Sequence, residues 1–258
     1  MPIDFSGLSP RSLPGKILRA PLRLMPRGAI VPIVQGPLRG KRWIVGAGTQ
    51  GYWLGTYELP KQGRFIQTVQ PGWTVLDIGA HTGYYALLTS TLVGPQGRVI
   101  ACEPSPRNLA YLRRHMGLNG CLNVDIREVA VAGACGTATF DNTQSSFTGH
   151  LAGNSINPNG SAGVTVQTIT LDSLLDEGIR PNLIKMDIEG AEGEALQGGR
   201  RLLAQCRPVL FLATHGPQVH QKCCDLLREL GYELTPLPGK HGEMTLETTD
   251  ELLARPTG

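Results

Sequence analysis

The residues most able to do chemistry begin at Asp77. The segment Val75-Leu76-Asp77-Ile78-Gly79-Ala80-His81-Thr82-Gly83 sets an acid two residues before the first of two glycines spaced four apart. An apolar run from Tyr84 to Val93 follows, so the pattern reads as buried strand, tight turn and helix. The glycines allow backbone to approach a ligand closely, and the helix N-terminus adds unpaired N–H groups beside it. Glu103 follows 20 residues after Gly83, at the end of a second apolar run, Arg98-Val99-Ile100-Ala101-Cys102. An acid in that place suits the two hydroxyls of a ribose. These residues describe a site for a nucleotide-type cofactor.

Asp77 helps to choose the cofactor. A dinucleotide turn carries G-x-G-x-x-G with pyrophosphate on the helix N-terminus, whereas this turn has only G-x-x-x-G. A carboxylate 4 Å from a pyrophosphate charge costs about 1–4 kcal/mol, depending on the dielectric. No Gly-Lys-Ser/Thr follows the glycines, which excludes a P-loop. S-adenosylmethionine carries no phosphate. Its ammonium suits Asp77, directly or through water, and its carboxylate suits the N–H groups of the turn.

A second group of candidates lies in Ile184-Lys185-Met186-Asp187-Ile188-Glu189-Gly190-Ala191-Glu192. Asp187 ends a predicted strand, and ligands of parallel sheets bind at the carboxyl ends of strands. Asp187 is therefore expected at the reactive end of the cofactor. Glu189 is balanced between that role and helix-dipole stabilisation, and Glu192 reads as a helix-dipole acid. Ala213-Thr214-His215-Gly216 ends the next strand and places a histidine, a possible base for an acceptor hydroxyl, on the same rim. Asp187, Glu189 and His215 could also hold a metal that lowers the hydroxyl pKa. Their spacing matches no recognised metal motif, so no metal site is assigned. His81 is expected to shape the pocket, and Lys185 to point away from the core face or pair with an acid.

These side chains need a scaffold, and the chain supplies alternating strand and helix patterns from Gly72 onward. Strands are expected at 74–78, 98–102, 124–131, 183–186 and 209–212. Helices are expected at 82–93, after Ser105-Pro106 (an N-cap followed by an N1 proline), from Gly190 to about Ala204, and at about 218–230. Tyr232–Leu234 and Met244–Leu246 are expected to form a closing antiparallel pair. Repeated β–α units imply a parallel sheet with right-handed crossovers. The stretch from about 133 to 171 interrupts the alternation, with strands at 137–140 and 164–169. Between them, residues 142–163 are rich in Ser, Thr, Asn and Gly and are expected to form a lid over the acceptor. Residues 1–70 read as an arm and small accessory segment ahead of the main domain at 71–258. A short helix is expected near Lys16–Leu24, a hairpin from 41–45 and 52–54, and a helix over 58–70.

The chain has 258 residues, a net charge of +3 and 41% hydrophobic residues, which suits one large α/β domain with an extension. Neither the charge nor any basic run with interleaved aromatics points to nucleic acid. The first 42 residues are basic and read as a solvated arm. The six cysteines form no C-x-x-C pair, and no His/Cys cluster has zinc spacing, as expected of reduced thiols in the cytoplasm. No apolar stretch reaches about 18 residues, and prolines and arginines interrupt any signal-like N-terminal run.

Taken together, the first turn with Tyr84-Tyr85, Glu103-Pro104-Ser105-Pro106, Thr170-Leu171-Asp172-Ser173-Leu174-Leu175 and the 184–192 segment resemble the FkbM-type methyltransferases, over roughly residues 72–235. The resemblance implies a class I methyltransferase fold: a Rossmann-like parallel sheet with a closing antiparallel strand, here after an N-terminal extension. It also implies S-adenosylmethionine as cofactor and, most often, O-methylation of a sugar or hydroxylated natural product. Candidate cofactor residues are Asp77, Gly79, Ala80, His81, Thr82, Gly83, Glu103, Pro104 and Glu128, with Asp187 shared. Candidate catalytic residues are Asp187, His215 and Glu189. Relatives often place an acid shortly before the histidine, whereas Phe211-Leu212-Ala213-Thr214 precedes His215 here. A small-molecule or glycan acceptor is the expected partner, and a homodimer is left open. The alternatives are a nicotinamide-dependent oxidoreductase, disfavoured by the glycine spacing and Asp77, and a non-catalytic cofactor-binding scaffold on the same fold.

Overall fold

The computed structural model describes residues 25–141, 150–152, 164–237, 245–247 and 249–257. The expected helix near Lys16–Leu24 and the expected lid at 142–163 lie outside the described residues, apart from the short strand at 150–152. The accessory segment opens with β1 (Ile30–Pro32), paired antiparallel with β2 (Arg42–Ile44). Helices α1 (Gln50–Leu54) and α2 (Leu59–Thr68) follow. The hairpin expected between 41–45 and 52–54 does not form. The Thr49 side chain accepts from Gly51 N, Gly55 closes the turn at φ 73, and Tyr52–Leu54 are helical as a result.

From residue 74 the chain runs β3 (Thr74–Ile78), α3 (Tyr84–Val93), β4 (Arg98–Cys102), α4 (Pro106–Asn119) and β5 (Val124–Arg127). Ser105 caps α4 as its sequence predicts, its hydroxyl accepting from Asn108 N. The third strand does not continue to Val131. β5 is an edge strand, and past it the chain leaves the sheet. Ala130 and Val131 form β6, which pairs with Thr168 and Ile169. A separate small sheet, in the order β6-β9-β7-β8, takes in β7 (Gly136–Asp141), β8 (His150–Ala152) and β9 (Val164–Ile169).

The chain then returns through α5 (Leu171–Asp176), β10 (Leu183–Met186), α6 (Glu192–Gln197), α7 (Arg200–Cys206), β11 (Val209–Ala213), α8 (Pro217–Glu229), β12 (Tyr232–Pro236) and β13 (Glu251–Pro256). The helix expected up to Ala204 is broken at Gly198-Gly199. A Cβ on Gly199 would lie 2.6 Å from Leu171 Cδ1, and one on Gly198 would lie 2.8 Å from Ala132 O. Close approach of neighbouring chain therefore fixes the break. The partner of β12 is β13, not Met244–Leu246: Leu246 lies in a turn, and Met244 is outside the described residues. Leu252, Leu253 and Ala254 are buried because β13 also pairs with β11, and an inserted strand has to be apolar on both faces.

The main sheet has seven strands in the order β12-β13-β11-β10-β3-β4-β5, with β13 antiparallel to its neighbours. This is the class I methyltransferase arrangement. Its strands alternate between two cores. Leu76, Ile78, Ile100, Ile184, Met186, Leu210 and Leu212 face one, against α5, α7 and α8. Val75, Val99, Ala101, Leu183 and Phe211 face the other, against α3, α4 and the accessory segment, whose Trp43, Tyr52, Trp53 and Phe65 belong to the same apolar cluster. Among the described residues no helix is long and apolar enough to cross a membrane.

Candidate active site

A cavity of about 1080 Å³ opens at the carboxyl ends of β3, β4, β10 and β11. Gly79, Ala80, His81, Glu103 and Pro104 line it on one side and Asp187, Glu189 and His215 on another. Tyr52, Tyr57 and Glu58 of the accessory segment, with Thr214 and Asp250, complete the wall.

On the first side the backbone does most of the shaping. Gly79 has φ 77, and a Cβ there would lie 2.0 Å from Asp187 O, so the turn after β3 touches the turn after β10. Gly83 has φ 94 and faces Leu112 of α4. His81 is held at φ 54, a conformation that costs a non-glycine residue energy. Glu103 pins this turn from beneath: Oε2 accepts from His81 N at 2.8 Å, and Oε1 accepts from Ser105 N at 3.0 Å and Asn108 Nδ2 at 3.1 Å. Burial raises the Glu103 pKa against the pull of these donors. An ionised carboxylate offers about four lone-pair positions, so three donors leave room for a ribose hydroxyl.

Four sequence candidates do not line the cavity: Gly83, which packs against Leu112, and Asp77, Thr82 and Glu128. Asp77 is 1% exposed and does not line the cavity. It is in register with Lys185, so both side chains lie on the sheet face under α3, where Lys185 Nζ is 3.5 Å from Asp77 Oδ1 and donates to Gly79 O at 3.1 Å. Neither Asp77 oxygen makes a hydrogen bond to a described residue, and burial raises its pKa. Asp77 thus stands behind the turn rather than on the cavity wall, and Lys185 pairs with an acid, one of the two placements expected of it. Thr82 is fully buried, and its carbonyl accepts from His115 Nδ1 at 2.7 Å. Glu128 is misplaced in the sequence reading: it lies on the surface in an ion pair with Arg113 at 2.9 Å, because β5 has already ended.

On the second side the side chains converge. His215 Nε2 is 3.7 Å from Asp187 Oδ1 and 3.5 Å from Glu189 Oε2. His215 Nδ1 donates to Glu192 Oε1 at 2.9 Å. Glu192 is fully buried and also accepts from Ile188 N and Gly190 N, both at 3.1 Å. This ties down a turn in which Glu189 has φ 56. Sequence reasoning took Glu192 for a dipole acid. Its spacing to Glu189 was visible, but the partner that gives it a task, His215, is remote in sequence. The bond to Glu192 raises the His215 pKa to about 9, with Asp187 and Glu189 adding to it. Burial would raise the Asp187 pKa, but the charges of Lys185, Lys61 and His215 outweigh it and hold the carboxyl below its usual range.

The accessory wall was only partly legible, as a concentration of aromatic residues. Tyr52 stacks on Tyr84 at 5.0 Å between centroids and meets Tyr57 edge-on at 4.5 Å. Lys61, 2% exposed, is held between Glu58 and Glu251.

Residues 77–234 match the model of the methyltransferase FkbM domain. The chain belongs to the FkbM methyltransferase family. It is similar over short stretches to two curated proteins. One is a protein-L-isoaspartate O-methyltransferase of Aeropyrum pernix, 43% identical over 22% of this chain and 23% of that protein. The other is an arsenite methyltransferase of Halobacterium salinarum, 37% identical over 22% of this chain and 15% of that protein. The chain thus spans less than a quarter of the length of each. A crystal structure of a methyltransferase FkbM from Methylobacillus flagellatus superposes with a TM-score of 0.48 at 18% identity, over 80% of this chain and 52% of that one. The family domain is a methyltransferase domain, and the cofactor this family implies is S-adenosylmethionine. The site fits that cofactor: the turn from Gly79 to His81 lines the cavity, and Glu103 offers a buried carboxylate at the strand end beside it. Gly79, Ala80, His81, Glu103 and Pro104 are the residues of this chain that would hold it.

Proposed function

We propose that the protein methylates a hydroxyl oxygen of a sugar or hydroxylated natural product. The observation that carries this reading is the convergence of Asp187 and His215 in the cavity that the cofactor turn lines. The bound cofactor's contribution is a methyl group already activated by its sulfonium. The protein's share is to hold the acceptor in line and to accept the hydroxyl proton. Asp187, ionised and beside the cavity, is the first candidate to accept it. His215 can do so once deprotonated, and Glu192 fixes which nitrogen faces the cavity.

The accessory wall supports a hydroxylated acceptor. Tyr52 and Tyr57 provide aromatic surface, while Glu58, Thr214 and Asp250 provide hydrogen-bonding groups beside it. Rings bearing several hydroxyls present the same mixture of apolar faces and polar edges. The test is methyl transfer from isotopically labelled S-adenosylmethionine to a panel of sugars, glycosides and hydroxylated macrocycles, with the product atom located by NMR. Label on nitrogen, carbon or sulfur in the preferred product would overturn the assignment to oxygen.

A further inference from the structure

We infer that Asp187, Glu189 and His215 form a site for one divalent cation, with two carboxylates and one imidazole as ligands, where β10 and β11 end. The role this gives the ion, lowering the pKa of an acceptor hydroxyl, rests on the O-methyl transfer reading; the site itself does not.

The distances favour ligands over mutual partners. His215 Nε2 stands 3.7 Å from Asp187 Oδ1 and 3.5 Å from Glu189 Oε2, and all three donor atoms fall within 4.8 Å of one another. The two separations from His215 are long for charge-assisted hydrogen bonds, which run at about 2.7–2.9 Å. They are close to what a shared ion imposes: donors about 2.0–2.2 Å from a metal in tetrahedral or octahedral array stand about 3.0–3.6 Å apart. Mixed imidazole and carboxylate donors suit manganese, iron, cobalt or zinc, and geometry rather than raw affinity selects among them.

A carboxylate outside the donor set organises it. Glu192, fully buried, accepts the Nδ1 proton of His215, so that in the neutral ring, the form that binds a metal, the lone pair lies on Nε2 toward Asp187 and Glu189. A ligand histidine is ordinarily oriented in this way by a second carboxylate. The same Glu192 accepts from Ile188 N and Gly190 N, fixing the backbone on either side of Glu189. One residue thus aims two of the three donors, including one held at a positive φ of 56. Two lysines near Asp187 have other partners. Lys185 is engaged with Asp77 and Gly79 O, and Lys61 with Glu58 and Glu251.

The test is titration of the whole chain with Mn²⁺ alone, without cofactor or acceptor, following loss of the free-ion EPR signal. Co²⁺ absorption provides a second readout of the ligand set. One saturable ion per chain is expected. Glu189→Gln and His215→Ala should each weaken it tenfold or more, and His215→Ala should shift the Co²⁺ band as nitrogen is lost. Glu192→Gln should weaken the ion about 10- to 100-fold without removing a ligand, while Glu128→Gln should leave binding unchanged. Circular dichroism confirms that each variant is folded, and Asp187→Asn substitutes for any that is not. No saturable Mn²⁺ binding by the wild-type chain, or equal binding by the wild-type and Glu189→Gln chains, would overturn the site. Methyl transfer that survives EDTA alongside absent Mn²⁺ binding would remove the ion and leave the O-methyl reading standing.

Discussion

The two turns that meet beneath the cavity are built on opposite plans. In the turn after β3, shape comes from glycine backbone, and its acid, Glu103, already accepts from three donors. In the turn after β10, shape comes from one buried carboxylate, Glu192, and the remaining acids crowd a single imidazole. The first is nearly satisfied before any ligand arrives, as suits binding of a fixed cofactor. The second keeps charge concentrated toward the cavity, as suits a site where protons and charge must move. Two histidines mark the same contrast. His115, under the first turn, is kept neutral by burial, with its pKa lowered to about 4. His215, in the second, is pushed up to about 9 by the acids around it.

The sharpest way to break the contrast is to disable one turn and spare the other. Asp187→Asn or His215→Ala should lower turnover about 10²- to 10⁴-fold, with the dissociation constant for S-adenosylhomocysteine little changed by calorimetry. Equal losses in both quantities would mean that the second turn also binds cofactor. Gly79→Ala strikes the point where the turns touch. Its Cβ would meet Asp187 O at 2.0 Å in a left-handed conformation, so a loss of about 3 kcal/mol in urea unfolding is expected. Glu103→Gln should weaken cofactor binding by about 1.5–3 kcal/mol through lost charge-assisted bonds, while turnover at saturating cofactor stays near wild type.

The smallest effect is a pH signature. His215, with its folded pKa raised, stabilises the fold fully below about pH 6.5, and that contribution fades as pH climbs through about 9. His115 has the opposite sign: its contribution is complete above about pH 6.5 and is lost as pH falls toward 4. Thermal melts across this range should show Glu192→Gln flattening only the alkaline limb and His115→Gln only the acid limb.

The same contrast explains what could be read in the sequence. Backbone devices are local and leave marks: Gly79 and Gly83 announce the first turn, Ser105-Pro106 the start of α4, and Gly198-Gly199 the break that helical periodicity alone runs through. Strand order alone assigns Asp187 and His215 to one rim, and the fold brings them together there with Glu189, whose role the sequence leaves balanced. Side-chain devices join distant residues and leave little trace. Nothing near Asp77 announced that Lys185 would be its register partner, or near Glu192 that it would hold His215. β13 escaped because its apolar residues, Leu252–Ala254, gain meaning only once β11 and β12 flank them.

The imidazole of His115 also sets a condition on protein engineering. It donates to Thr82 O, accepts from Ile44 N at 3.1 Å and stacks on Trp43 at 3.7 Å between centroids, while Asn119, one turn further along α4, brackets Arg42 through its backbone N–H and C=O. The seam between accessory segment and cofactor turn is therefore sewn from α4, inside the family domain. A chimera that grafts residues 25–69 from a relative onto this domain must bring the matching residues at 115 and 119 with it, or the transplanted wall will arrive without its fastening and the turn will lose its tether.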